Sequence, residues 1–344
     1  MSASESTRVL LVSRPDGEPT TENFRLDTVV LEEPSDGEVL LRTIYLSLDP
    51  YMRGRMNALR SDAEPAGPDP VMDGVAVCEV VSSRFVGLAS GDLVVARLGW
   101  QSAGVMAGAE LQRLDPGMAP ISTALGVLGM PGLTAYAGLL EFGRPQAGET
   151  VVVAAAVGPV GATVGQVAKI KGARVVGIAG GPEKTAWLLD AGFDVALDHR
   201  SPSFAADLAA ACPDGIDVYF ENVGGHVWDA VLPLLNDFSR VPVCGLVAHY
   251  SESGPASTPD RTAALMRTVL TRRVTMRGFN QNDFGTEIRE AFQTDVAQWI
   301  RDGRFVYRED IVEGLANAPE AFVGMLKGHN MGKMLVQVAP DPTR

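Results

Sequence analysis

Gly158, Gly161 and Gly165 fall in the stretch AAAVGPVGATVG (154–165), directly after the apolar run Val151-Val152-Val153. Their spacing, G-x-x-G-x-x-x-G, differs from the G-x-G-x-x-G of the usual dinucleotide fingerprint. The context is still that of a phosphate-binding turn: an apolar strand ends, glycines occupy the turn and a helix begins. Glycine lets backbone approach a pyrophosphate, and the first helical turn offers free N–H groups and partial positive charge. Pro159 removes one donor but suits the first position of a helix. Gly158, Pro159, Val160 and Gly161 are therefore the candidate pyrophosphate loop. A plain strand-to-helix turn would show the same spacing.

The next strand, RVVGIA, indicates which dinucleotide. NAD-selective sites carry Asp or Glu about 20 residues beyond the glycines, on the ribose 2′-hydroxyl. Here Ile178 to Gly181 contain no acid. A 2′-phosphate is tolerated at Gly180, Lys184 lies one helical turn later to pair with it, and His199 and Arg200 complete a cationic pocket. The alternative for Lys184 is a solvated helix lysine. The expected cofactor is NADPH. Zinc catalysis needs three or four converging ligands, yet His199, His226, His249 and His329 all follow residue 198, and the first half has only Cys78. No C-x-x-C cluster occurs, and no metal site is expected.

These residues need elements to position them. Up to about residue 120 the chain reads as short strands broken by Gly, Pro and Asp, including EVLLRTIYLSL, VAVCEVVSS and SGDLVVARLGW. From about 122 strands and helices alternate: VVVAA, a helix near 161–172, RVVGIA, a helix from Pro182, then VALD, IDVYFEN, VPVCGLV and VTMRGF. That rhythm is the signature of a doubly wound parallel sheet. The last segment, GKMLVQVA, reads as a strand outside the alternation that returns to the first domain. At 344 residues two domains are expected. A net charge of −13 without a long basic run argues against nucleic acid and anionic membranes as partners. The N-terminal apolar run Val9–Val12 is too short for a signal peptide or span. Three scattered cysteines argue against a disulfide framework, and a cytoplasmic protein is expected.

The segments YLSLDPYMRGRM (45–56), LGVLGMPGLTAY (125–136), ENVGG (221–225) and CGLVAHY (244–250) resemble the zinc-independent medium-chain dehydrogenase/reductases. Among them they are most similar to the NADPH-dependent double-bond reductases, which comprise the curcumin, prostaglandin and alkenal reductases. The resemblance runs through nearly the whole chain. It implies an α/β fold: a GroES-like β-rich domain (1–122), a Rossmann NADPH-binding domain (123–310), and a C-terminal return (311–344), with a cleft between the domains. It also implies a homodimer.

Carried over by position, the resemblance puts Gly158 to Gly161 on the pyrophosphate, Lys184 on the 2′-phosphate, and Gly180, His199 and Arg200 around it. Asn222, Cys244, Gly245, Leu246, Tyr250, Phe279 and Asn330 become cofactor contacts, with Met130 and Thr134 lining the nicotinamide pocket. Departures stand at Val157, where relatives carry Ser or Thr, in the segment Asn57–Pro70, and at Asn280 and Gln281, which border the substrate pocket.

Without a Lewis acid, an isolated carbonyl is a poor hydride acceptor. An α,β-unsaturated ketone or aldehyde is better, because hydride at the β-carbon leaves a delocalised enolate. Tyr250 is the expected catalytic donor to that enolate; solvent is the alternative proton source, with Tyr250 then only packing on the cofactor. Tyr51 and Trp100 are candidate substrate contacts, each with core packing as its alternative. Arg53 and Arg55 could attract an acidic substrate or be solvated or paired. No chemistry is assigned to His226 and His249, and Cys244 is expected to be no nucleophile. The expected function is enone or enal double-bond reduction, against a quinone reductase or a non-catalytic NADPH sensor.

Overall fold

The computed structural model describes residues 5–57, 70–252 and 260–344; most of the divergent segment after Asn57 lies outside them. The chain divides into two compact units, Met1–Leu125 with Glu309–Arg344, and Gly126–Arg308.

The first unit is β-rich. Its strands are β1 (Glu5–Leu11), β2 (Phe24–Val30), β3 (Glu38–Ser47), β4 (Ala76–Ser83), β5 (Leu93–Ala96), β6 (Ala103–Ala107) and β7 (Gln112–Arg113), with one short helix, α1 (Tyr51–Arg55). β3 is buried along nearly its whole length, which its run of Val, Leu, Ile and Tyr permits.

The second unit alternates strand and helix. Helix α2 (Met130–Gly138) precedes β8 (Thr150–Ala154), α3 (Pro159–Ile170), β9 (Arg174–Ala179), α4 (Pro182–Asp190), β10 (Val195–Asp198), α5 (Phe204–Ala211) and β11 (Ile216–Phe220). Then come α6 (Gly225–Val231), β12 (Leu235–Val243), α7 (Thr262–Arg272), β13 (Thr275–Gly278) and α8 (Thr286–Arg301). The sheet order is β10-β9-β8-β11-β12-β13, and every pair is parallel. This is the 3-2-1-4-5-6 order of a dinucleotide-binding sheet, with its switch point between β8 and β11. All five residues of β8 are buried, as a central parallel strand covered on both faces requires.

The chain then returns to the first unit through β14 (Glu309–Glu313), α9 (Ala318–Leu326) and β15 (Lys333–Gln337). β15 pairs antiparallel with β3 and parallel with β14, in a sheet ordered β14-β15-β3-β4-β5-β7 with β6 also on β3.

Candidate functional site

In the second unit the glycine-rich turn links β8 to α3. Ala155 takes a left-handed backbone, φ 51°, and its carbonyl receives the Gly158 N–H at 3.1 Å. Gly158 caps α3 with no side-chain hydrogen bond, and Pro159 occupies the first helical position. The N–H groups of Val160 and Gly161 lie in that first turn, where a helix provides no internal acceptor. Two of the three glycines are demanded by packing. A Cβ on Gly161 would lie 2.4 Å from the Ala155 carbonyl oxygen, and one on Gly165 would lie 1.9 Å from the Phe193 ring. Gly158 carries no such clash.

At the C-terminal ends of β9 and β10 a basic corner forms around Gly180. A Cβ there would meet Arg200 Nε at 2.8 Å and His199 Nε2 at 2.9 Å. Lys184, from the first turn of α4, adds its charge to the surroundings of His199. Desolvation, followed by the neighbouring His226 and Arg200, lowers the His199 pKa and favours its neutral ring. His226, for which the sequence suggested no partner, stands against His199 with Nε2 and Nδ1 3.3 Å apart.

Beyond β11 and β12, two segments are laid side by side by backbone bonds. Cys244 and Gly245 N–H donate to the Glu221 carbonyl, Val247 N–H to Asn222 and Ala248 N–H to Val223. The Asn222 amide donates to the Ala154 carbonyl at 2.8 Å, tying this pair of segments to the end of β8. Glu221 is buried and its Oε1 accepts from Tyr219 Oη, Val223 N–H and Gly224 N–H. Burial raises its pKa despite those three donors. The Cys244 thiol is pushed up to about 12 by burial and by Glu221, so it is a thiol and not a thiolate. Tyr250 Oη accepts a long bond, 3.4 Å, from Leu246 N–H and lies against Gly245; burial again raises its pKa. His249 is also partnered, accepting from Gly225 N–H through Nε2 and reaching Glu252 through Nδ1 at 2.9 Å.

Met130 and Thr134 lie one turn apart on α2, where the Thr134 hydroxyl donates to the Met130 carbonyl. Phe279 follows β13 and packs against Phe142, Phe220 and Phe284. Asn280 and Gln281 form a turn of their own: Asn280 Oδ1 accepts from Asn282 N–H, and the Gln281 amide donates to Asn282.

In the first unit, Tyr51 opens α1, with the Arg55 guanidinium 5.1 Å from its ring centre. Burial, then Asp49 and Asp73, raise its pKa. The Asn330 amide donates to the Gly332 carbonyl at 2.7 Å. For three residues the structure shows the packing or pairing that stood as the alternative to a substrate contact. Trp100 is fully buried, stacked on Phe24 and edge-on to Phe322, which is the core packing given as its alternative. Arg53 is buried and donates to Asn57 and to the Gly17 carbonyl, and Arg55 is paired with Asp73. Neither arginine is a free lure for an acidic substrate.

Residues 7–114 match a family model described as the N-terminal domain of oxidoreductase, and 159–301 match one described as zinc-binding dehydrogenase. The chain is 52% identical to the NADPH-dependent curcumin reductase of Escherichia coli K12, over 97% of each chain. It belongs to the medium-chain dehydrogenase/reductase family. It is also 41% identical to prostaglandin reductase 1 of Rattus norvegicus, over 94% of this chain and 96% of that one. CurA from Vibrio vulnificus, solved in complex with NADPH, is 48% identical and superposes with a TM-score of 0.93 over 97% of this chain and all of that one.

Among the described residues no three His, Cys, Asp or Glu side chains gather where they could hold a metal ion. Sequence reasoning passed over two groups in this medium-chain dehydrogenase/reductase. One is the His226 ring beside His199. The other is a buried ion pair, Lys333 Nζ to Asp49 Oδ1 at 2.7 Å, which also donates to the Leu48 carbonyl. Asp49 belongs to the DPYMRG segment and Lys333 to the HNMGK segment, so the motif spelling held the signal for both partners.

Proposed function

We propose that this chain reduces the C=C bond of α,β-unsaturated ketones and aldehydes, curcumin-like or alkenone substrates among them, with NADPH. The observation that carries this reading is 52% identity, over 97% of both chains, to a protein named for NADPH-dependent curcumin reduction. The residues of the second unit fit the coenzyme. Gly161 leaves its turn free of a side chain, the first turn of α3 presents free N–H groups to a pyrophosphate, and the end of β9 carries no acid to repel a 2′-phosphate. Lys184, His199 and Arg200 supply positive charge and donors there. Asn222, Gly245, Leu246 and Phe279 are the other proposed contacts, with Met130 and Thr134 on α2. Asn330 and Tyr51 are carried over on the resemblance alone.

Bound NADPH supplies a hydride to the substrate β-carbon. Tyr250 then donates a hydrogen bond to the carbonyl oxygen, where negative charge collects as the enolate forms. Its raised pKa keeps the hydroxyl protonated, as a donor must be. The α-carbon takes its proton from Tyr250 or from a water it orients. Cys244, a neutral thiol, takes no covalent part.

A homodimer is part of the same proposal. All four residues of the edge strand β13 are exposed, and Met266 and Leu270 on α7 and Phe238 on β12 are exposed apolar residues of the same unit. A cytoplasmic location fits three unpaired thiols.

The experiment is a panel of enones, enals and quinones, each followed by loss of the reduced-nicotinamide absorbance. Conjugated enones and enals should turn over fastest. Faster quinone turnover would make this a quinone reductase, and tight NADPH binding without turnover would make it a sensor.

A further inference from the structure

His199 and His226 are 27 residues apart in the chain, yet their rings meet with centroids 5.3 Å apart. His226 Nε2 lies 3.3 Å from His199 Nδ1 and 3.2 Å from the His199 carbonyl oxygen. A carbonyl oxygen only accepts, so the second contact assigns the hydrogen to His226 Nε2. With the hydrogen there, His199 Nδ1 is the acceptor of the same forked bond. A neutral His199 must then carry its own hydrogen on Nε2. That is the nitrogen turned toward Gly180.

We propose that His226 is a positioning residue for coenzyme selection: it holds His199 in the tautomer whose Nε2–H faces the 2′-phosphate subsite at Gly180. This rests on the NADPH reading above and adds to it a residue that does not itself touch the coenzyme. In the other tautomer Nε2 would present a lone pair to a phosphate and repel it. The groups facing His199 are Asp198 at the end of β10, Arg200 beside it in the chain, Lys184 on α4 and His226 on α6. The lowered pKa of His199 makes the neutral ring, and hence its tautomer, the relevant state at neutral pH. The Phe204 ring on α5 meets His226 edge-on and holds the donor in place.

The test is a set of dissociation constants for NADPH and NADH, read by binding titration, in the wild type and three variants. His226→Phe keeps a ring but removes the donor. It should weaken NADPH about fivefold, the size of one hydrogen bond, and leave NADH unchanged. His226→Gln keeps a donor near the Nε2 position and should restore NADPH binding to within about twofold. Proton–nitrogen correlation spectra should place the His199 hydrogen on Nε2 in the wild type and the Gln variant, and on both nitrogens in the Phe variant.

Equal weakening of both coenzymes, no weakening of either, or a wild-type spectrum with the hydrogen on Nδ1 would overturn the proposal. Retained NADH binding checks that His226→Phe is folded; should it fail to fold, the wild-type spectrum and the Gln variant still decide. Lys184→Ala separates the two levels of the argument. If it shifts the NADPH to NADH ratio and His226→Phe does not, only the role of His226 fails. If neither shifts it, the phosphate subsite itself is misplaced.

Discussion

Tyr250 shows how much chemistry one side chain can carry and how it is checked. Burial raises its pKa above the ordinary value, and the Leu246 N–H only partly offsets that. An unperturbed tyrosine ionises near pH 10, so the loss of this donor lies higher still. kcat should therefore be flat between about pH 7 and about pH 9; a basic limb inside that range would belong to another group. Tyr250→Phe should lower kcat about ten- to a hundredfold with KM nearly unchanged, whereas an unaltered kcat would hand the proton to water. At this scale the sequence was legible where chemistry is local. The missing acid before Gly180 and the basic residues Lys184, His199 and Arg200 are all read from neighbours in the chain. Between the two readings of Trp100 the sequence could not choose, because the rings that enclose it, Phe24 and Phe322, come from distant segments. The partners of His226 and His249 were hidden for the same reason.

Helix α3 packs through two glycines at which an added side chain would clash. Gly165→Ala would force the Phe193 ring aside, since the added carbon would lie 1.9 Å from it. Overpacking of this kind costs about 1–3 kcal/mol, and denaturant unfolding should register the loss; an unchanged midpoint would mean that Phe193 relaxes freely. The same replacement at Gly158 meets only ordinary contact, and the packing role of Gly165 was left implicit by the spacing in the sequence. Elements with strong periodicity were read within a few residues: α3 runs Pro159–Ile170 where the pattern suggested 161–172. The reading of VPVCGLV as strand went too far. β12 stops at Val243 because the backbone from Cys244 onward bonds to Glu221, Asn222 and Val223 and turns. Only the fold brings those residues alongside, so apolar composition could not mark the stop.

At the scale of the molecule, the parallel sheet ends in β13, whose four residues are exposed and whose outer edge is unpaired among the described residues. A homodimer through that edge should be disrupted by Met276→Asp, which puts a charge on the strand. Light scattering should then report half the wild-type mass; an unaltered mass would place the contact elsewhere. The first unit carries a different kind of consequence. Its sheet has β15 between β14 and β3, and Lys333 at the start of β15 neutralises Asp49, which is buried beside α1. A carboxylate removed from water without its counter-charge is strongly unfavourable. As the chain leaves the ribosome, residues up to Leu125 must therefore wait, through the synthesis of an entire second unit, for a strand made after it. The nucleotide-binding unit is contiguous and needs no such delay. A release assay along the nascent chain should find it protease-resistant first, while its earlier-born companion stays open until Lys333 has emerged.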